Sequence, residues 1–200
     1  MRVHIILAIL AAMLIFPATA NAIDQQTIDN LKFLLSQPED MGWGDGKFDD
    51  QTLYDGLLTI YQQESNGGDI NLARQAMWAM GETGIVGFAP TLIGAMDSEP
   101  LTVCYALGKI SSNDGVYALI EMLGDEDMFI RDAAVTSLGT IEYIDGMDES
   151  RQAALDSLTV SMQSETELWI RDNINGAITM IETGVAIEPE FVEPLEAEGH

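Results

Sequence analysis

Histidine and cysteine are nearly missing from this sequence, and their scarcity limits the chemistry that the chain can perform. The 200 residues include two histidines, His4 and His200, and a single cysteine, Cys104. So small a set excludes Ser–His–Asp and Cys–His nucleophile systems, histidine-based metal catalysis, and zinc or iron–sulfur sites built on several cysteines. Catalysis by carboxylates alone, as in glycosidases, stays open because an acidic chain offers many carboxylate pairs. We expect no enzyme and no cofactor.

Basic residues are also scarce. The chain has 8 Lys and Arg against 33 Asp and Glu, which gives a formal net charge of −25. Such a charge repels phosphate backbones and anionic lipid, so neither nucleic acid nor a membrane surface is an expected partner. A cationic partner, the binding of metal cations and adaptation to high salt would each explain the acidity. Charge alone does not separate these three explanations.

Residues 1–22 have the pattern of a signal peptide. A polar start precedes an unbroken apolar run over residues 5–16, which is followed by Pro17 and by small residues up to Ala22. The run is shorter than the roughly 18 to 20 residues that span a bilayer, although an uncleaved anchor helix is the alternative. We expect export to the periplasm or the medium, a mature N-terminus at Ile23 and no membrane insertion after cleavage.

Three segments of the chain repeat one helical pattern. Residues 72–81 (LARQAMWAMG), 101–108 (LTVCYALG) and 130–139 (IRDAAVTSLG) are apolar, rich in small residues and end in glycine. A second apolar helical segment follows each of them, and a fourth, divergent copy begins at Ile170. Repeated segments of this kind, each followed by a second helical segment, predict helix pairs that stack on one another. An ordinary helical bundle without repeats is the alternative.

Individual residues fit this interpretation. We expect the glycine that ends each repeated segment to supply the left-handed conformation of a helix C-cap. Asp97 and Asp127 stand just before helices, where a carboxylate can accept from free N–H groups, and Pro100 stands where a first-turn proline is tolerated. Cys104 is predicted to be a small core residue, the alternatives being an intermolecular disulfide or a reactive thiol.

The best copy, residues 125–134 (DEDMFIRDAA), has an Asp, a hydrophobic residue, an Arg and then alanines. In this it resembles HEAT-like repeats of the short bacterial type, named after phycobilisome lyases, and the resemblance extends over about residues 69–184. It implies an all-α solenoid of stacked antiparallel helix pairs that serves as an interaction scaffold. Arg131 should reach a carboxylate or carbonyl at a repeat junction. Bilin-lyase activity follows from the family name alone, and export argues against it.

The chain divides into four parts on this interpretation. Residues 1–22 are the signal peptide, residues 23–66 form an N-terminal helical hairpin, residues 67–184 hold the repeats, and residues 185–200 form an acidic tail. Because a solenoid needs its open end covered, we interpret the hairpin as a cap.

One candidate binding surface lies on the first helices of the repeats. In the repeat register Trp78 aligns with Tyr105 and Arg74 aligns with Leu101, at positions where this family usually carries outward-facing residues. We therefore expect these four side chains to form one patch, with Arg74 able to lie over Trp78. The alternative is that the N-terminal hairpin or the tail covers them.

A second candidate surface lies on the second helices. Tyr117, Glu121 and Met122 are expected on the concave side, where solenoids usually bind. Together the two surfaces favour an exported, non-catalytic scaffold or adaptor that binds another protein, whose identity the sequence does not give.

A weak calcium site is the alternative function. Residues 41–52 resemble the middle of an EF-hand loop, in which Asp45 and Asp49 would be ligands, but three of the principal ligands are missing. A turn between two helices explains the same residues without a metal.

Overall fold

The computed structural model describes residues 23–37 and 48–184, which form nine α-helices and no strand. In chain order the helices are α1 Gln25–Leu35, α2 Asp50–Ser65, α3 Ile70–Glu82, α4 Ala89–Gly94, α5 Pro100–Leu107, α6 Asn113–Met122, α7 Met128–Thr140, α8 Asp148–Ser164 and α9 Leu168–Thr183. A short 3₁₀-helix, Val86–Phe88, leads into α4. The expected signal peptide, residues 38–47 and the acidic tail lie outside the described residues. None of the helices in these ranges combines the length and the hydropathy that a bilayer crossing requires.

The helices stack in two layers. The first layer consists of α1, α3, α5, α7 and α9, each packed against the next. In the second layer α4 packs against α6, and α6 packs against α8. The remaining helix, α2, packs against α3 and reaches the start of α4 through Tyr54, whose ring stacks on Phe88 with 4.8 Å between centroids. This two-layer stack confirms the predicted all-α solenoid.

One continuous cluster of buried side chains runs through the stack, from Ile28 in α1 to Ile181 in α9. Met80 and Leu107 are fully buried, as the repeat register predicts, and so is Cys104. Because α1 and α2 share this core, they pack on the repeats without a gap. Their role as a cap over the open end stays a prediction.

The glycines that end the repeated segments do not shape the helix ends. Gly81 and Gly139 lie inside α3 and α7, and Gly108 follows α5 with a right-handed φ of −62°. The expectation of left-handed C-caps at these positions was therefore wrong. After α3 the left-handed residue is Gly84, with a φ of 66°.

Close packing explains these glycines instead. At each of them an added Cβ atom would lie 2.6 to 2.9 Å from a Cα atom of the next first-layer helix: Gly81 against Ala106, Gly108 against Ser137, and Gly139 against Ala177. Real Cβ atoms almost never lie that close to backbone atoms, so any larger residue would push the helices apart. The contacted residues Ala106 and Ser137 each stand two residues before the repeat glycine of their own helix. In α9, where the contacted residue is Ala177, the position that corresponds to the repeat glycine is therefore Thr179.

Of the two predicted aspartate caps, one is confirmed. Asp127 is the N-cap of α7, and its carboxylate accepts from the backbone N–H of Phe129 at 2.8 Å. Asp97 is not a cap, because Glu99 occupies the N-cap position of α5 and directs its own carboxylate elsewhere. Pro100 stands in the first turn of α5, as predicted.

Arg131 joins two repeats, as expected. Its Nε and Nη2 atoms donate to the two carboxylate oxygens of Glu165, at 2.8 and 3.0 Å, and its Nη1 atom donates to the carbonyl of Asp125 at 3.0 Å. The same carboxylate accepts from the backbone N–H groups of Thr166 and Glu167. Hydrogen bonds from Arg131, more than any other cause, lower the pKa of Glu165 to about 2.

The outer side of α9 is polar. Asn175 is exposed, whereas the equivalent residues Met77, Cys104 and Val135 are buried in the earlier first-layer helices. Thr179, also exposed, replaces the repeat glycine. A polar face of this kind is typical of a terminal repeat.

Candidate partner-binding surface

The four side chains of the predicted first-layer patch meet on the outward faces of α3 and α5. Arg74 and Trp78 lie one turn apart on α3, as do Leu101 and Tyr105 on α5, because residues four apart share a helix face. A cleft of about 370 Å³ is lined by all four. The structure thus brings the patch together, while its role in binding stays a prediction.

These apolar side chains are accessible. Trp78 is 39% exposed, Tyr105 is 48% exposed and Leu101 is 41% exposed. Helices α1 and α2 therefore do not cover the patch, which removes one of the two covers considered from the sequence. The other, the tail, lies outside the described residues.

A second cleft extends the first towards α7, and we call the two clefts together the groove. This second cleft, of about 420 Å³, shares Trp78 and Tyr105 with the first and extends to Thr136 on α7. Its lining includes Ala106 and Ser137, the small residues that contact the repeat glycines. Small side chains between neighbouring helices thus leave a depression beside the two aromatic rings.

Both basic side chains at the groove are bound to carboxylates. Arg74 Nε donates to Glu99 Oε2 at 2.7 Å, a bond that raises the pKa of Arg74. Lys109 Nζ lies 3.3 Å from Glu82 Oε1. No arginine lies on an aromatic ring among the described residues, so the expected stacking of Arg74 over Trp78 is replaced by the ion pair. The groove therefore offers apolar surface without free positive charge.

One carboxylate at the groove has no basic partner among the described residues. Asp132, on α7, lies close enough to Tyr105 to affect it: burial raises the pKa of the Tyr105 hydroxyl, and the charge of Asp132 adds to this effect. Asp132 Oδ1 accepts only from the amide of Asn173, at 2.7 Å. The edge of the groove towards α7 is thus negatively charged.

The second-layer candidates form a less developed surface. Tyr117 is 45% exposed and Glu121 is also exposed, one turn further along α6, whereas Met122 is half-buried and packs against the core. Neither of the two groove clefts includes them. They remain candidates as an exposed pair and not as a cavity.

The calcium hypothesis gains no support at its described residue. Asp49 is the N-cap of α2, and its carboxylate accepts from the backbone N–H of Thr52 at 2.8 Å, which lowers the pKa of Asp49. Asp45 lies outside the described residues. Within the described ranges no three His, Cys, Asp or Glu side chains come together as a metal site would require.

A larger cleft, of about 600 Å³, lies at the C-terminal ends of α7 and α9. Its polar side chains hold the fold together. The Tyr143 hydroxyl donates to the carbonyl of Leu138 at 3.0 Å, and Arg151 Nη2 donates to the carbonyl of Ile181 at 2.6 Å. Because these bonds secure the loop after α7 and the end of α9, we assign this cleft a structural role.

Sequence reasoning missed a further exposed apolar group. Phe129, at the start of α7, is 56% exposed, and Trp169, at the start of α9, is 40% exposed. Both stand ten residues before the repeat-glycine position of their helix. The register that pairs Trp78 with Tyr105 also pairs these two residues, so the signal was present in the sequence.

A comparison with protein families finds HEAT repeats at residues 98–178, a stretch that begins just before α5 and ends within α9. The matched repeats include Tyr105, Phe129, Arg131 and Trp169. The match supports a HEAT-like repeat protein, which agrees with the two-layer stack. A search of the curated proteins finds no match to this chain.

Proposed function

We propose that this chain is an exported, non-catalytic scaffold that binds another protein through the groove on its first helix layer. The observation that carries the proposal is the pair of exposed aromatic side chains, Trp78 and Tyr105, at the boundary of two joined clefts. Aromatic side chains are enriched at the centres of protein interfaces, and solenoids of HEAT repeats generally present extended binding surfaces.

Rigidity of the groove supports the same role. The walls of the groove stand on α3, α5 and α7, whose spacing is fixed by backbone contacts at Gly81 and Gly108. A surface that is already ordered loses little conformational entropy when a partner docks, so more of the contact free energy appears as affinity.

The chemistry of the chain favours binding over catalysis. Its only cysteine, Cys104, is fully buried, and burial raises the pKa of this thiol to about 12, so it is not a nucleophile in the folded protein. The two histidines, His4 and His200, stand at the extremes of the sequence.

Export is the part of the proposal that rests on residues 1–22 alone. Mass spectrometry of the protein purified from its native source should give a mature N-terminus at Ile23. Cleavage would remove one of the 8 basic residues and none of the 33 acidic ones, leaving a formal charge of −26. A protein that retains Met1 would contradict export and favour an anchor helix.

Affinity capture from the native extracytoplasmic fraction tests the binding surface. The double variant Trp78→Ser, Tyr105→Ser should lose the captured partner and keep its melting temperature, because both side chains are exposed. Tyr117→Ser is the matched control, since Tyr117 is equally exposed on the second layer. A partner that survives the double variant but is lost with Tyr117→Ser would place binding on the second layer and contradict the proposal.

No observation favours either alternative. Among the described residues Asp49 serves as a helix cap and no group of carboxylates is arranged as a Ca²⁺ site, so we expect no Ca²⁺ binding by this part of the chain, which calorimetry on the mature protein tests. Bilin-lyase activity has only the resemblance to the named repeat type behind it.

A further inference from the structure

Five of the exposed apolar side chains of the first layer follow a regular path. Outward positions recur three, seven and ten residues before the repeat-glycine position, and at 100° per residue these three positions lie within about 60° of one another on the helix surface. From α3 to α9 the exposed apolar residue shifts from the position three residues before the repeat glycine (the third position) to the position ten residues before it (the tenth position). The path consists of Trp78 on α3, Tyr105 and Leu101 on α5, Phe129 on α7 and Trp169 on α9.

We call these five residues the apolar diagonal. Neighbouring packed helices are about 8 to 10 Å apart, so four helices span roughly 25 to 30 Å. A shift of seven residues adds about 10 Å along the helix axes. The diagonal is therefore roughly 30 Å long, the length of a helix of about 20 residues.

Free charge beside the diagonal is negative. At the seventh position α7 carries Asp132 and α9 carries Asp172, and neither is paired with a basic side chain in the described ranges. Arg74, the seventh-position residue of α3, is neutralised by Glu99 at 2.7 Å.

The arginines of α7 and α9 do not alter this balance. Arg131 is turned towards the following repeat, where both oxygens of Glu165 bind it. Arg171 stands at the equivalent position of α9. It has no acidic partner among the described residues, but it lies about 160° away from Trp169 around the helix.

Resting on the proposed function, we propose that the apolar diagonal binds a basic amphipathic helix of a partner protein, about 20 residues long. The apolar face of that helix would cover the five side chains, and Lys or Arg at its edge would face Asp132 and Asp172. A second copy of this chain fits the surface poorly, because each copy carries a formal charge of −25. The same repulsion disfavours the acidic residues 185–200.

Two synthetic helical peptides of about 20 residues test the proposal by fluorescence anisotropy. They share one apolar stripe, and they carry either Lys or Glu at every flanking position. The Lys peptide should bind the mature protein at least about tenfold more tightly than the Glu peptide, and its binding should weaken as salt is raised. Two double variants, one with Trp78→Ser and Tyr105→Ser and the other with Phe129→Ser and Trp169→Ser, should each reduce that binding about tenfold or more.

A charge-matched pair of variants locates the effect. Asp132→Asn with Asp172→Asn should weaken binding of the Lys peptide about 3- to 10-fold, whereas Asp114→Asn with Asp156→Asn should change it less than about twofold. Both pairs remove two negative charges, but Asp114 and Asp156 lie on the second layer. Retained circular dichroism spectra would show that all variants are folded.

Each contrary result overturns a definite part of the inference. Equal affinity for the two peptides would mean that the diagonal does not select charge. Binding of neither peptide, with native capture still dependent on Trp78 and Tyr105, would overturn the basic helix and leave the scaffold role standing. A dimer that dissociates in the Trp78→Ser, Tyr105→Ser variant during sedimentation would identify a second copy as the occupant.

Discussion

Replacing Arg131 with Met tests whether the ion pair between repeats stabilises the stack. The change keeps most of the side-chain volume but removes both hydrogen bonds to Glu165 and the bond to the carbonyl of Asp125. Only 5% of the Glu165 side chain and 18% of the Arg131 side chain are exposed, so water replaces few of the lost bonds. The carboxylate of Glu165 would remain largely buried without its countercharge, which is the costly outcome for an ion pair.

The size of the effect follows from the pKa of Glu165. Its fall from 4.5 to about 2 corresponds to roughly 3 kcal/mol of preferential stabilisation of the ionised form. Part of this comes from the backbone N–H groups of Thr166 and Glu167, which the variant keeps. We therefore expect Arg131→Met to cost about 2 kcal/mol, which lowers the melting temperature by roughly 4 to 8 °C in a domain of this size.

The same pair predicts how the effect depends on pH. The pKa of Glu165 is lowered in the folded state, so between about pH 2 and 4.5 the unfolded chain binds more protons at this residue. The stabilisation is therefore complete above the unfolded pKa and is lost as pH falls towards 2. The difference in melting temperature between wild type and Arg131→Met should shrink over this range.

Thermal unfolding followed by far-ultraviolet circular dichroism measures both effects. Lys109→Met is the control, because Lys109, just after α5, is paired with Glu82 of α3 but has 57% of its side chain in solvent. That variant should change the melting temperature little. If Arg131→Met is no more destabilised than the control at neutral pH, or if its deficit persists at about pH 2, the pair is not the source of stability.

Three further predictions concern packing. Gly108→Ala should cost about 1 to 3 kcal/mol of unfolding free energy, because its Cβ would lie 2.9 Å from Ser137 Cα. Gly176→Ala, whose Cβ would meet nothing within 4 Å, should instead stabilise α9 by about 0.5 to 1 kcal/mol. Urea unfolding compares the two variants, and equal effects would refute the close-packing argument. Met80→Ala should cost about 2 to 5 kcal/mol in the same assay, since Met80 is fully buried, and a loss below 1 kcal/mol would contradict its place in the core. The Cys104 thiol should react with a thiol reagent only after denaturation, and rapid labelling of the native protein would refute its burial.

The sequence was most informative where one physical requirement recurs in every repeat. Helical periodicity with small residues and glycine predicts stacked helices, and the same register correctly separates buried Met80 from exposed Trp78. It also brings Leu101 and Tyr105 to one surface with Trp78, because equivalent residues of stacked helices become neighbours.

Sequence reasoning failed where one residue type serves two physical purposes. A glycine near a helix end is most often a left-handed cap, but it also removes the Cβ atom that would keep two helices apart. Only the contact between Gly81 and Ala106 identifies the second purpose here. Likewise Arg74 can reach both the ring of Trp78 and the carboxylate of Glu99. The sequence alone does not show which of the two Arg74 contacts.

The close packing of the first-layer helices and the continuous groove on their surface have one cause. Gly108 and Ser137 let α5 and α7 approach until the backbones nearly touch, so the outward side chains of these helices stand close together on a continuous surface. Larger residues at the contacts would widen the stack and separate Tyr105 from its neighbour Thr136 across the groove. Because the glycine contacts fix the groove as well as the core, a change such as Gly108→Ala alters the proposed binding surface even where the protein still folds. Loss of stability and loss of partner binding should therefore appear together at the repeat glycines, but separately at Met80 and at Trp78.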